Sequence, residues 1–141
     1  MIEERRRLAA RYSERLAFIK GVELPAEPAW ARSNWQSYCV RLPRGADQVQ
    51  VMQSMLDAGV STRRGVMCSH REPAYVIEPW RCEKNGLCEC HRCSCEVLAH
   101  SEARTAQGLI LPLFVGMTEQ DQMRVVTALA AALPPSSVRT R

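Results

Sequence analysis

The sequence predicts one α/β domain, built as a two-layer α+β sandwich with a small sheet and helices on one face. Three observations predict it. Apolar residues recur at helical spacing in three separate stretches, and three short apolar or β-branched runs lie between them. The two kinds alternate as helix, strand, helix, strand, loop, strand, helix. With 141 residues, 46% of them apolar, the chain suits a single domain over 1–141 with a real core.

The first helix is expected over residues 3–20, where Leu8, Tyr12, Leu16 and Ile19 form one stripe. Gly21 stops it, and Pro25 and Pro28 keep it from resuming. Residues 35–42 (Trp-Gln-Ser-Tyr-Cys-Val-Arg-Leu) read as a strand ending at Pro43. Asp47 is a natural N-cap with Gln50 as its capping-box partner, and Val51, Met52, Met55 and Leu56 stripe the helix that Gly59 closes. Residues 60–66 form a short strand or extended segment. Residues 73–100 have no usable period and read as a long loop, with a Cys-rich insertion over 76–100. Residues 109–114 (Leu-Ile-Leu-Pro-Leu-Phe) form a strand that Pro112 confines to an edge or to a strand end. Thr118 and Asp121 sign a second capped helix, striped by Met123, Val126, Leu129, Ala130 and Leu133 and halted at Pro134-Pro135.

The charge balance excludes some functions. The net charge is +4, and of the basic residues only Lys20 and Lys84 are lysine. A mild arginine excess suits anionic ligands such as phosphates, but the arginines are spread along the chain, which argues against nucleic acid. The block Arg5–Arg7 sits beside Glu3 and Glu4 and reads as a solvated helix face. The longest apolar run, residues 109–115, is too short to span a bilayer. No apolar segment follows the charged N-terminus as in a signal peptide, so a cytoplasmic, reducing setting is expected and stable disulfides are disfavoured.

Five of the seven cysteines crowd between Cys82 and Cys95. Cys90 and Cys93 form a C-x-x-C pair, and with Cys88 and Cys95 they make the best candidate ligand set for a structural zinc. Binding would tie down a loop that has too few apolar residues to fold itself. A second separated C-x-x-C is missing, so a redox-labile cluster or thiols without function are the other readings.

The order of four short stretches carries further information. They are residues 5–25, residues 35–43, residues 59–75 (Gly59-Val-Ser-Thr-Arg-Arg-Gly-Val-Met-Cys-Ser-His70 and then Arg-Glu-Pro-Ala-Tyr75), and Ser101-Glu102 with Leu109–Leu113 and Met117–Gln122. In this order and spacing the chain resembles the C-terminal small domain of the DegT/DnrJ/StrS family of sugar aminotransferases. The resemblance implies a fold-type I pyridoxal-phosphate enzyme that moves an amino group, usually from glutamate, to a keto sugar on a nucleotide. It also implies a separate N-terminal domain holding the cofactor, and a homo-oligomer in the intact enzyme. In the family the cofactor lysine and its acidic partner precede the region matched here, so the chain alone is expected to be inactive. Lys20 ends a surface helix, and Lys84 lacks the apolar strand expected around a Schiff-base lysine.

The resemblance places His70 at the mouth of an active site, where an imidazole can bond sugar or phosphate oxygens or relay protons. Arg63 and Arg64 are neighbours on a strand and must point to opposite faces, so one of them can reach a diphosphate or a carboxylate. Met67-Cys68 stands where many members have an aromatic residue and a proline. Tyr75 and Trp80 can stack on a sugar or base, or pack the loop. Trp30 and Trp35 have the same two readings, with core packing the expectation. Ser101 is expected to cap a helix, and Glu102 is not taken for a catalytic acid. Without its partner domain the chain should expose apolar surface, first the stripe Leu8, Tyr12, Leu16 and Ile19. A small zinc-binding interaction module built on the cysteine loop is the alternative reading.

Overall fold

The computed structural model describes residues 1–73 and 98–134. Helix α1 spans Ile2–Leu16, with Glu3 and Glu4 in its first turn and Arg15 in its last, each opposing the helix dipole there. Strand β1 is Tyr38–Arg41, helix α2 Gln48–Asp57 and strand β2 Arg63–Arg64. A 3-10 turn covers Ser69–Arg71. Helix α3 is Ala99–Gln107, strand β3 Gly108–Leu111 and helix α4 Glu119–Ala132.

The three strands form one antiparallel sheet in the order β1-β3-β2. Tyr38 pairs with Leu111 and Val40 with Leu109, and all four side chains are buried. Strand alternation therefore turns one face of the sheet wholly inward. That face meets α1, α2 and α4 through Leu8, Tyr12, Leu16, Val51, Met55, Val125 and Leu129. Each such aliphatic side chain stabilises the fold by about 1.5–3 kcal/mol relative to exposure. The expected two-layer architecture is thus present among the described residues, with the core between sheet and helices.

Several expected details shift. Helix α1 stops at Leu16, and Ile19 reaches the core from a following turn in which its N–H bonds Leu16 O. The stripe Leu8, Tyr12, Leu16 and Ile19 does not stand open for a partner; it lies in this chain's own core. Strand β1 starts three residues later than expected because Trp35 adopts a left-handed backbone, φ 48°, and turns its ring onto Tyr38 with a centroid distance of 5.6 Å. Trp30, expected inside, is 88% exposed. Residues 60–66 contribute only the two paired residues of β2. β3 is the central strand, and Pro112 lies just past its end, where a missing N–H costs no ladder bond.

The helix ends follow their side chains. Asp47 Oδ1 accepts from Val49 N at 2.9 Å and Gln50 N at 3.1 Å. The Thr118–Asp121 box closes in both directions, with Asp121 N donating to Thr118 Oγ1 and Thr118 N to Asp121 Oδ2. Helix α4 turns its inward face one residue from the expected stripe: Gln122 is buried and Met123 exposed. The Gln122 amide is satisfied inside, donating to Leu8 O at 2.9 Å. Helix α3 was expected to start at a Ser101 cap. It begins at Ala99, with Leu98 at the cap position and no side-chain bond there, which takes the end of the supposed loop into a helix.

Candidate functional site

The site is built where α3 packs beside the segment that leaves β2. Gln48, buried at the start of α2, holds the junction of α3 and β3 by donating to Thr105 O at 3.0 Å and Gly108 O at 2.7 Å. Gly108 allows the close approach: a Cβ there would lie 2.6 Å from Arg104 O. On α3, Glu102 and Thr105 are one turn apart and share a face. Thr105 Oγ1 donates to Val66 O at 2.8 Å, and it meets Cys68 Sγ at 2.9 Å. Glu102 Oε1 meets His70 Nε2 at 2.7 Å, with both side chains nearly buried, 13% and 11% exposed. Two residues of one helix therefore hold the turn that carries His70.

Between this turn and α3 lies a cleft of about 570 Å³, lined by Val66, Met67, His70, Leu98, His100 and Arg104 among others. Its walls join an apolar side to histidine and arginine, a mixture suited to a polar ligand with one flat or apolar face. Arg63 and Arg64 lie elsewhere. Arg63 pairs with Ile110 on the open face of the sheet and lines a 450 Å³ cleft with Gln36, Ser37 and Ser61. Arg64 pairs with Leu109 and borders a smaller cleft of 210 Å³ beside Met52, Gln53 and Leu56. The two arginines face opposite ways, as strand alternation requires, and both are exposed. The structure does not bring His70 and the arginines to one described cleft.

Tyr75, Trp80, Lys84 and the proposed zinc ligands Cys88, Cys90, Cys93 and Cys95 lie outside the described residues. Among the described residues no group of three or more His, Cys, Asp or Glu side chains is gathered as a metal would require. Cys39 and Cys68 are free thiols. Burial pushes the Cys39 thiol up, against the charge of Arg104 and a backbone hydrogen bond from Leu109. No described helix is long and apolar enough to cross a membrane. Sequence reasoning names Glu102 only to set it aside as a catalytic acid, and it misses Thr105 and Gln48. The first two had a signal in their i, i+3 spacing on one helix face; Gln48 had none, because an amide next to a capping Asp reads as solvated.

A small antiparallel sheet backed by helices matches part of the aminotransferase fold. The same fold occurs in the aminotransferase TlmJ from Streptoalloteichus hindustanus, at 23% identity and a TM-score of 0.71 over 93% of this chain. It also occurs in DesI in the presence of its TDP-sugar product, at 25% identity and 0.73 over 92%. DesV from S. venezuelae, in complex with a ketimine intermediate, matches at 25% identity and 0.65 over 92%. The model of the DegT/DnrJ/EryC1/StrS aminotransferase family matches residues 1–130, and the chain belongs to that family. It spans about 30% of the length of the solved structures it matches.

Pyridoxal phosphate, which the family implies, finds no seat among the described residues. Lys20 is the one lysine among them, and it is exposed beyond the end of α1. The described residues do not fit the group as its holders.

Proposed function

We propose that the chain is the small-domain part of an aminotransferase that moves an amino group from glutamate to a nucleotide-linked keto sugar. In this reading pyridoxal phosphate is held by residues of a cofactor domain, and the assembled enzyme works in the cytoplasm as a homo-oligomer. Family membership over residues 1–130, together with a match to only about 30% of each solved neighbour, carries the reading. The TDP-sugar product in whose presence DesI was solved supports the substrate class.

This chain's own contribution is to bind and orient. His70, at the cleft between its turn and α3, donates to or accepts from sugar or phosphate oxygens. Arg63, on the open sheet face with Ser37 and Ser61, is placed for a carboxylate or diphosphate, and its planar fork can contact either bidentately. Arg64, beside an apolar helix flank, is the poorer candidate. Tyr75 remains a stacking residue of the same proposal.

The test pairs the chain with a cofactor-bearing large-domain polypeptide of the family and measures amino transfer from glutamate to a TDP-linked keto sugar. Activity should need both polypeptides. His70→Ala and Arg63→Ala should each raise KM about tenfold, the loss of one charge-assisted contact. A pair that associates and carries cofactor yet transfers nothing would refute the assignment.

A further inference from the structure

We propose that Glu102 is the positioning residue of His70: its carboxylate fixes which imidazole nitrogen carries the proton and how the ring is aimed into the cleft. The inference deepens the proposed function, since it rests on His70 acting at the substrate.

The geometry carries it. His70 Nε2 and Glu102 Oε1 are 2.7 Å apart, thirty-two positions apart in sequence, and 11% and 13% exposed. A solvated surface pair of long side chains rarely holds so short a contact, whereas a nearly dry one is kept. A carboxylate oxygen accepts in this contact, so the ring proton that it holds sits on Nε2. The contact thereby favours a protonated Nε2 and fixes the ring's orientation, as acidic partners do for histidines that bind metals or relay protons.

The surroundings make Glu102 a fixed reference. One turn on, Thr105 bonds Val66 O at 2.8 Å and meets Cys68 Sγ at 2.9 Å, which sets the height of the turn on α3. Gln48 pins the end of the same helix at Thr105 O and Gly108 O. Backbone and ring are thus anchored separately: Thr105 holds the segment, and Glu102 holds the imidazole. Thr105 acts on the segment, although its hydroxyl also reaches Ser101 O at 3.0 Å, and Glu102 acts on the ring.

The experiment uses the full chain labelled with ¹⁵N-histidine. Wild-type protein should show a His70 Nε2-bound proton that exchanges slowly with water near neutral pH. Glu102→Ala should lose that signal while the backbone amide spectrum outside residues 66–71 is retained. Glu102→Gln, whose amide oxygen still accepts, should keep it. A slow Nε2 proton that survives in Glu102→Ala, or that is missing from folded wild type, overturns the proposal. In the assembled enzyme, Glu102→Ala and His70→Ala should raise KM for the nucleotide sugar to a similar extent, and the double variant should be no worse than either. If His70→Ala leaves KM unchanged, the substrate role of His70 fails, and the proton signal still decides whether Glu102 positions the ring.

Discussion

Tyr12 on α1 and Tyr38 on β1 face each other across the core, with ring centroids 5.2 Å apart and planes tilted by 39°. Each hydroxyl is anchored: Tyr12 donates to Pro112 O at 2.8 Å, and Tyr38 shares a hydrogen bond with Ser13 Oγ at 2.9 Å. Burial pushes both phenols up; for Tyr12 the charges of Tyr38 and Asp121 add to this, and for Tyr38 the Ser13 bond opposes it. In the unfolded chain they titrate near the ordinary value of 10.0. Above that value the unfolded chain loses protons that the folded one keeps, so stability is full below it and falls as pH rises. Tyr12→Phe should flatten this alkaline decline and cost about 1 kcal/mol at neutral pH through the lost bond. Urea midpoints followed from neutral to strongly alkaline solution check both, and an unchanged alkaline slope in the variant would contradict the first.

Thr118 and Asp121 close the capping box of α4. Thr118→Ala should destabilise the domain by about 1 kcal/mol, seen as a lower denaturant midpoint with an unchanged slope. The Thr118 side-chain and backbone hydrogen bonds hold the Asp121 carboxyl below its ordinary 3.8. That part of the stability is present above the unfolded value and disappears as pH falls through the folded one. The variant should therefore also lose less on acidification than wild type.

Gly108 joins α3 to the central strand with no room for a methyl group, since the nearest obstacle is a backbone oxygen rather than a flexible side chain. Gly108→Ala should cost about 1–3 kcal/mol by overpacking. It should also displace α3 and so weaken the His70–Glu102 contact. Denaturation and the His70 proton signal report the two effects; a variant as stable as wild type would mean that the junction gives more than its geometry indicates.

Cys39 is half-buried on the open sheet face, with Arg104 opposing the burial that raises its thiol. Alkylation of Cys39, followed by peptide mass spectrometry, should be slower than that of a free thiol at mildly alkaline pH. Arg104→Gln should slow it further. Faster alkylation in that variant would show that Arg104 shields the sulfur rather than supporting the thiolate.

Much of the fold was legible because its signals are local. The Thr118 box and the Asp47 cap each follow from a few neighbouring residues, and so do the short strands ending near Pro43 and Pro112. What was not legible depended on distant partners. Gln122 replaced Met123 on the inner face of α4 because a carbonyl on α1 satisfies its amide. The stripe of α1 reads locally as an exposed apolar face, because nothing in neighbouring residues says that the chain's own sheet covers it. Glu102 looked like an ordinary helix-start acid, and only the return of the chain through β2 brings His70 against it. His70 itself was reached through resemblance, since an isolated histidine has no period to betray it.

The central claim is that this polypeptide aims substrate-facing groups at a cofactor seated on other residues. Incubating the 141-residue chain alone with pyridoxal phosphate, reducing with borohydride and mapping modified lysines tests it most directly. The account predicts no stoichiometric pyridoxyl adduct on Lys20 or Lys84 and no amino transfer. A full adduct on Lys84, accompanied by turnover without a second polypeptide, would contradict it.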